Sequence, residues 1–95
     1  GWLVNMKFGV IGTNFVSDFF MEGSKYEPEC EVVAVCDIFE DKAKAFQEKY
    51  NIANCFTNYK EMVDGIDAIY IAVPNGKHHE IAKFFSSCSI LLFFK

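Results

Sequence analysis

The chain has 95 residues, enough for one domain and too few for two. Its composition, 52% hydrophobic and 23% charged, is ordinary for a globular chain and excludes a disordered one. The net charge is −4, and all nine basic residues are scattered lysines. Arginine forks and basic clusters are therefore missing, so we expect no nucleic-acid partner.

The cysteines, at positions 30, 36, 55 and 88, form no C-x-x-C pair and no zinc-type spacing with histidine. Reduced thiols, no metal site and a cytoplasmic location are expected. No signal peptide and no apolar run of membrane-spanning length is present, so no membrane partner is expected either. Residues 1–6 are interpreted as a leader or an added segment, and residues 7–95 as one domain.

The first predicted elements are a strand and a helix. Residues 7–11 form an apolar run that ends at Gly12, a pattern typical of a buried strand and a tight turn. An apolar stripe that begins at Phe15 predicts a helix, which residues 23–24 interrupt.

The middle of the chain continues this alternation. Residues 31–36 predict a β-branched, apolar strand that ends at Asp37, and residues 40–50 predict an amphipathic helix with charged pairs four residues apart. Residues 55–56 predict a brief strand, and a capping-box pattern over residues 58–61 predicts a short helix through residue 63.

The last part of the chain predicts two strands around a helix. Residues 67–73 give the clearest strand, a third amphipathic helix starts at about Lys77, and residues 89–94 form a final strand. Strands that alternate with helices imply parallel pairing with right-handed crossovers. The predicted fold class is α/β, a doubly wound parallel sheet in a single domain.

The first turn between a strand and a helix carries part of a dinucleotide-binding fingerprint. That fingerprint would place glycine at positions 12, 14 and 17, and only Gly12 is present. Asn14 tolerates a positive φ, but its side chain crowds the approach of a pyrophosphate, and Ser17 is small enough for close packing. Taken alone, the motif is equally consistent with an ordinary turn.

Asp37 strengthens the dinucleotide hypothesis. It follows the second strand, 25 residues after Gly12 (37 − 12), close to the spacing of the acid that binds the adenosine ribose. A carboxylate there accepts hydrogen bonds from ribose hydroxyls and repels a 2′-phosphate, so NAD is favoured over NADP. The alternative is that Asp37 caps the following helix, with Glu40 three residues later.

The loop after the strongest strand is the third candidate feature. Pro74 sets the exit from the strand, and Asn75 can offer a donor and an acceptor to a ribose or a carboxamide. His78 and His79 are adjacent and point about 100° apart on a helix, so they do not form a chelating pair. We interpret His79 as solvated and His78 as near the mouth of the crevice.

Residues 7–16, residues 35–37 and residues 68–75 with His78 closely resemble the N-terminal domain of one family, the glucose–fructose oxidoreductase / inositol dehydrogenase / MocA-like oxidoreductases. The resemblance implies a Rossmann-type NAD(P)-binding domain. Members transfer hydride between a nicotinamide cofactor and a sugar, inositol or related polyol. The cofactor-binding residues that it implies are Gly12, Thr13, Asn14, Phe15, Val16, Asp37, Val73, Pro74, Asn75 and His78.

The chain also departs from this family. Its members continue into a Glu-Lys-Pro motif with a catalytic lysine, which would fall one place beyond Lys95, and then into a substrate domain. We therefore assign no catalytic residue and expect a truncated, inactive cofactor domain. Two alternatives remain open. One is a nucleotide-sensing or self-associating module with exposed aromatic residues at Phe84, Phe85, Phe93 and Phe94. The other is a remnant that binds nothing because Asn14 blocks phosphate.

Overall fold

The structure, a computed structural model, describes residues 6–27, 29–73, 75–88 and 90–94. Its centre is a parallel five-stranded sheet in the order β3-β2-β1-β4-β5. The strands are β1 (Met6–Ile11), β2 (Cys30–Cys36), β3 (Asn54–Phe56), β4 (Ala68–Ile71) and β5 (Leu91–Phe94). The predicted α/β class with parallel pairing is confirmed. The strand order reverses between β1 and β4, where ligands bind in open sheets of this kind.

Three helices connect these strands: α1 (Phe15–Ser24), α2 (Glu40–Tyr50) and α3 (Asn75–Ser86). Helix α3 begins two residues earlier than predicted. Among the described residues, no helix is long and apolar enough to cross a membrane.

The short helix predicted through residue 63 is instead a single 3₁₀ turn, Tyr59–Glu61. Asn58 does cap it, because its side chain accepts a hydrogen bond from the Lys60 N–H at 3.0 Å. The turn ends at Met62, whose side chain is buried under the sheet, and its backbone leaves the helical region there.

The two faces of the sheet have separate cores. On one face, Val10 and Val35 pack with Met21 of α1 and Phe46 of α2. On the other face, Ile69 packs with residues of α3 and of the 3₁₀ turn region. Both faces are therefore covered near the centre of the sheet, which explains why the central strands are almost continuously apolar.

Only some of the aromatic residues that the sequence predicted to be exposed are exposed in the structure. Phe85 is completely buried in the core, and Phe84 packs edge-on against it with ring centroids 5.0 Å apart. The expectation is therefore wrong for Phe85, which lies in the core, whereas Phe84 is half-buried at the edge of that core. Phe93 is 44% exposed, as expected. The side chain of Phe94 lies outside the described residues.

The α1 side of the sheet carries a group of aromatic rings, of which Phe19 and Phe93 are exposed and Phe8 is buried. Phe20 stacks on Tyr70 with centroids 4.3 Å apart, and Phe8 lies 5.5 Å from both Phe20 and Phe93. Phe19, on the same helix, is 72% exposed. We call these five residues the aromatic face.

Helices α1 and α2 are joined by a polar contact at Asp18. One of its carboxylate oxygens accepts hydrogen bonds from the Tyr50 hydroxyl at 2.5 Å and from the Lys49 ammonium at 3.1 Å. The hydrogen bond from Tyr50 is the main reason why the pKa of Asp18 lies below its usual value, and Lys49 adds to the effect against some desolvation.

We predict that this contact stabilises the fold only while Asp18 is ionised. A lowered folded-state pKa gives stability that is present above the unfolded-state pKa and is lost as the pH falls through the folded-state value. Asp18→Asn should therefore lower the free energy of unfolding by about 0.5–1 kcal/mol at pH 7, a modest amount because the group is partly exposed. Urea denaturation at pH 7 and at pH 3 checks this.

The control is Glu22→Gln, which removes an exposed ion pair between α1 and Lys25, the residue directly after it, and should change stability very little. An Asp18→Asn deficit of equal size at both pH values would contradict the prediction.

Candidate functional site

The carboxyl ends of β1, β2 and β4 converge on one cleft with a volume of about 530 Å³. This volume lies within the usual range for small-molecule sites. Of the residues proposed from the sequence, those that line the cleft are Gly12, Thr13, Asn14, Asp37 and Val73. Residue 74 lies outside the described residues, and so does the side chain of Asn75, whose backbone opens α3.

Gly12 occupies a position that only glycine can fill. Its φ is +100°, and a Cβ atom there would lie 2.6 Å from the carbonyl oxygen of Ala72, at the end of β4. Its N–H donates to the Cys36 carbonyl at 2.8 Å, so the turn is tied to β2 as well. The chain can thus leave β1 sharply and start α1 at the edge of the cleft.

Asn14 holds the start of α1 through its side chain. Its Oδ1 accepts hydrogen bonds from the N–H groups of Val16 at 2.9 Å and Ser17 at 3.4 Å, while its Nδ2 donates to the Ala72 carbonyl at 2.5 Å. Its φ is −113°, so the positive φ that the sequence allowed is not used. Asn14 is an N-cap, and it occupies two amides that a phosphate could otherwise use.

Ser17 takes the place of the third glycine of the fingerprint and is fully buried. Its hydroxyl donates to the Gly12 carbonyl at 2.5 Å. The expectation that a small residue permits close packing here is confirmed, and the hydroxyl adds a bond that glycine could not make.

The N–H groups of Thr13, Asn14 and Phe15 precede the two capped amides at the start of α1, and Thr13 and Asn14 line the cleft. Within the part of the chain that the structure describes, no acceptor bonds these three N–H groups. They lie at the positive end of the α1 dipole, an arrangement that favours an anion such as phosphate.

Asp37 stands at the cleft edge of β2 with both carboxylate oxygens engaged. Oδ2 accepts a hydrogen bond from the Thr13 hydroxyl at 2.6 Å, and Oδ1 accepts one from the Phe39 N–H at 2.9 Å. The bond to Phe39 is the local contact that the capping alternative anticipated, although the N-cap of α2 is Phe39 itself, without a side-chain capping bond. Asp37 thus both braces the local turn and presents a carboxylate to the cleft.

Three of the proposed residues lie outside the cleft. Phe15 and Val16 line a separate shallow depression on the α1 side, and Phe15 is 70% exposed. His78 is half-buried and is not part of the cleft wall. The phase of α3 instead turns Lys77, Glu80 and Ile81 toward the cleft, at the i, i+3, i+4 spacing of one helix face. His79 is exposed, as interpreted from the sequence.

Several cleft residues were not identified from the sequence. They follow the carboxyl ends of β2, β3 and β4, and they are Ile38, Phe39, Lys42, Thr57, Tyr59, Lys77 and Glu80. Two sequence features could have identified some of them. One is a position soon after the end of a predicted strand, and the other is the apolar pair Ile38 and Phe39 next to Asp37, which the structure shows to be exposed. Across the cleft, Tyr59 donates its hydroxyl to Glu80 at 3.4 Å.

Cys36, the last residue of β2, is buried and also borders the cleft. Burial, more than the nearby Asp37 charge, raises the pKa of Cys36 to about 12. The thiol is therefore protonated at neutral pH and is not a nucleophile there.

Together, free amides at a helix start, a glycine turn and a carboxylate at the next strand end define a nucleotide-binding Rossmann domain. The family model "Oxidoreductase family, NAD-binding Rossmann fold" matches residues 6–92. The chain belongs to this family, the Gfo/Idh/MocA oxidoreductases, which confirms the resemblance found from its sequence.

Similar proteins are much longer than this chain. The scyllo-inositol 2-dehydrogenase (NADP(+)) IolU of Bacillus subtilis is 37% identical over 82 residues, which cover 84% of this chain and 25% of that protein. The uncharacterized oxidoreductase YgjR of Escherichia coli is 32% identical over 87 residues, or 90% and 26%. The chain therefore spans about a quarter of the length of these relatives.

Solved structures share the fold. A probable dehydrogenase from Thermotoga maritima superimposes with a TM-score of 0.88 at 20% identity over 94% of this chain and 27% of that one. The scyllo-inositol dehydrogenase of Lactobacillus casei with bound NAD(H) and scyllo-inositol gives a TM-score of 0.85 at 16% identity, covering 95% and 27%. Both similarities extend over nearly the whole described chain.

We predict that Gly12→Ala strongly destabilises the domain. The methyl group would meet the Ala72 carbonyl and would also place alanine at a positive φ, so the loss should be at least about 2 kcal/mol, or roughly 10 °C in Tm. Thermal unfolding followed by circular dichroism measures it.

Gly23→Ala is the matched control, because a Cβ at this helical position has no neighbour within 4 Å. It should leave Tm unchanged or raise it slightly. Equal Tm values for the two variants would refute the steric explanation.

Proposed function

We propose that this chain binds NAD(H) in preference to NADP(H), as the cofactor domain of an oxidoreductase that transfers hydride between the nicotinamide and a sugar, inositol or related polyol. The observation that carries the preference is the carboxylate of Asp37 in the cleft at the end of β2. The names of the relatives support the substrate class, since IolU is an inositol dehydrogenase.

The pyrophosphate would bind at the start of α1. Because Asn14 already caps the amides of Val16 and Ser17, the phosphate oxygens would use the earlier N–H groups of Thr13, Asn14 and Phe15. Gly12, without a side chain, leaves the approach to these groups open. In this arrangement Asn14 shifts the phosphate site by about one residue and does not abolish it.

The adenosine ribose would bind next to Asp37. An ionised carboxylate accepts the two ribose hydroxyls of NAD and opposes the negative charge of a 2′-phosphate. Two lysines, Lys42 and Lys77, lie in the same cleft and would attract that phosphate. Asp37 is half-buried at the strand end, whereas the Lys42 ammonium lies 5.1 Å above the exposed Phe39 ring. This placement favours NAD, in contrast to the NADP(+) named for IolU.

We also propose that the 95-residue chain alone has negligible dehydrogenase turnover. Hydride transfer needs the nicotinamide C4 next to an oriented substrate hydroxyl and a general acid/base. The residues that line the cleft would bind the nucleotide, and we assign a catalytic role to none of them.

Calorimetric titration with NADH tests the binding proposal. We expect saturable 1:1 binding, and Asp37→Ala should weaken it by about tenfold or more, since hydrogen bonds to an ionised group contribute about 1.5–3 kcal/mol. Asp41→Ala is the control, because this exposed carboxylate lies outside the cleft on the first turn of α2. Wild-type protein that binds neither NADH nor NADPH would favour the remnant alternative.

A second candidate function is self-association through the aromatic face. The specific observation is the exposure of Phe19 and Phe93 beside the stacked rings of Phe20 and Tyr70. Large exposed apolar patches commonly mark protein contacts.

If a second copy covers this face, Phe19→Glu should reduce the dimer fraction at a given concentration, because it would place a charge in the interface. Sedimentation velocity measures that fraction. Tyr26→Glu is the control, because Tyr26 is also highly exposed but is not part of the face. A wild-type chain that stays monomeric at high concentration would exclude this second function.

A further inference from the structure

We propose that Thr13 is a positioning residue that fixes the Asp37 carboxylate and thereby sets the preference for NAD(H) over NADP(H). The family resemblance counts Thr13 among the residues that bind the cofactor directly, whereas its hydroxyl hydrogen-bonds to Asp37, 24 residues away. This inference rests on the proposed cofactor function and names a residue that controls its selectivity.

The geometry at Asp37 is that of a carboxylate held at both ends. Thr13 donates to Oδ2 from the β1–α1 turn, and the Phe39 N–H donates to Oδ1 from the start of α2. With one bond on each oxygen, rotation of the carboxylate is restricted from two sides of the cleft. Each oxygen keeps a lone pair, so both can still accept a hydroxyl of a ribose.

Thr13 is well suited to this role. It directly follows Gly12, whose position is set by the close approach of β4 and by the bond to Cys36. A β-branched side chain on such a constrained turn has few χ1 choices, so its hydroxyl is held toward Asp37 at little additional entropic cost. Because the hydroxyl proton is used by Asp37, only the Thr13 N–H is left to donate to a phosphate.

The charges around Asp37 explain why its orientation affects selectivity. Lys42 and Lys77 share the cleft and attract anions, so a 2′-phosphate is repelled only while the Asp37 charge stays at the ribose position. Without Thr13, one bond remains, and the carboxylate can turn toward these cations. A carboxylate paired with lysine accepts weaker hydrogen bonds from the ribose hydroxyls. It also repels the charge of a 2′-phosphate less strongly.

The test compares NADH and NADPH affinities by calorimetry for three proteins: wild type, Thr13→Val and Thr13→Ser. Thr13→Val keeps the branched shape and removes the hydroxyl, and Thr13→Ser keeps the hydroxyl. We expect Thr13→Val to weaken NADH binding by about fivefold to tenfold, less than the loss of Asp37 itself because Thr13 acts only through that carboxylate, and to change NADPH binding by no more than about twofold. Thr13→Ser should restore most of the wild-type ratio.

If Thr13 had a purely structural role, its replacement would lower Tm and weaken the binding of NADH and NADPH equally. The ratio of the two affinities therefore separates the two roles. If Thr13→Val does not fold, Thr13→Ala provides the same comparison against Thr13→Ser. An unchanged ratio in a folded variant that lacks the hydroxyl overturns the inference, while NADH binding by the wild type still upholds the proposed function. Failure of the wild type to bind either nucleotide rejects both.

Discussion

The close approach of the end of β1 to the end of β4 is the constraint on which the rest of the structure depends. Gly12 lies against the Ala72 carbonyl, and adjacent bonds join Ala72 N–H to Ile11 and Gly12 N–H to Cys36. Three strand ends are thereby brought to one place. Because α1 must start immediately after this point, its free amides open onto the same cleft as the residues that follow β2.

Around that constraint, side chains replace two glycines of the usual fingerprint. Asn14 caps α1 and also binds the Ala72 carbonyl, and Ser17 bonds the Gly12 carbonyl. The turn is therefore held by polar contacts where glycines would rely on backbone freedom and close packing. In the proposed site, fewer backbone N–H groups are therefore left to donate hydrogen bonds to a phosphate. Those that remain belong to Thr13, Asn14 and Phe15.

The cleft combines a carboxylate that two hydrogen bonds hold in place with the long side chains of lysines. Asp37 is braced by bonds from two different elements, whereas the lysines of the cleft have long side chains with many rotamers. A fixed charge discriminates better than a flexible one, because it cannot move away from an unsuitable ligand. The cofactor preference that we propose for this site would therefore depend on how Asp37 is held as well as on its presence.

The sequence alone determined the alternation of strands and helices, the parallel sheet, the family and the positions of Gly12 and Asp37. The family was recognised from the resemblance of its motifs. The rest follows from local patterns: the spacing of apolar residues, a glycine after a strand and an acid at the next strand end. The tertiary structure alone decided that Thr13 bonds Asp37, that Asn14 binds Ala72, and that His78 does not line the cleft. The first two contacts join residues 24 and 58 positions apart, and the third depends on the residue at which α3 begins. Such relations arise from the packing of whole elements, which the local pattern of the chain does not specify.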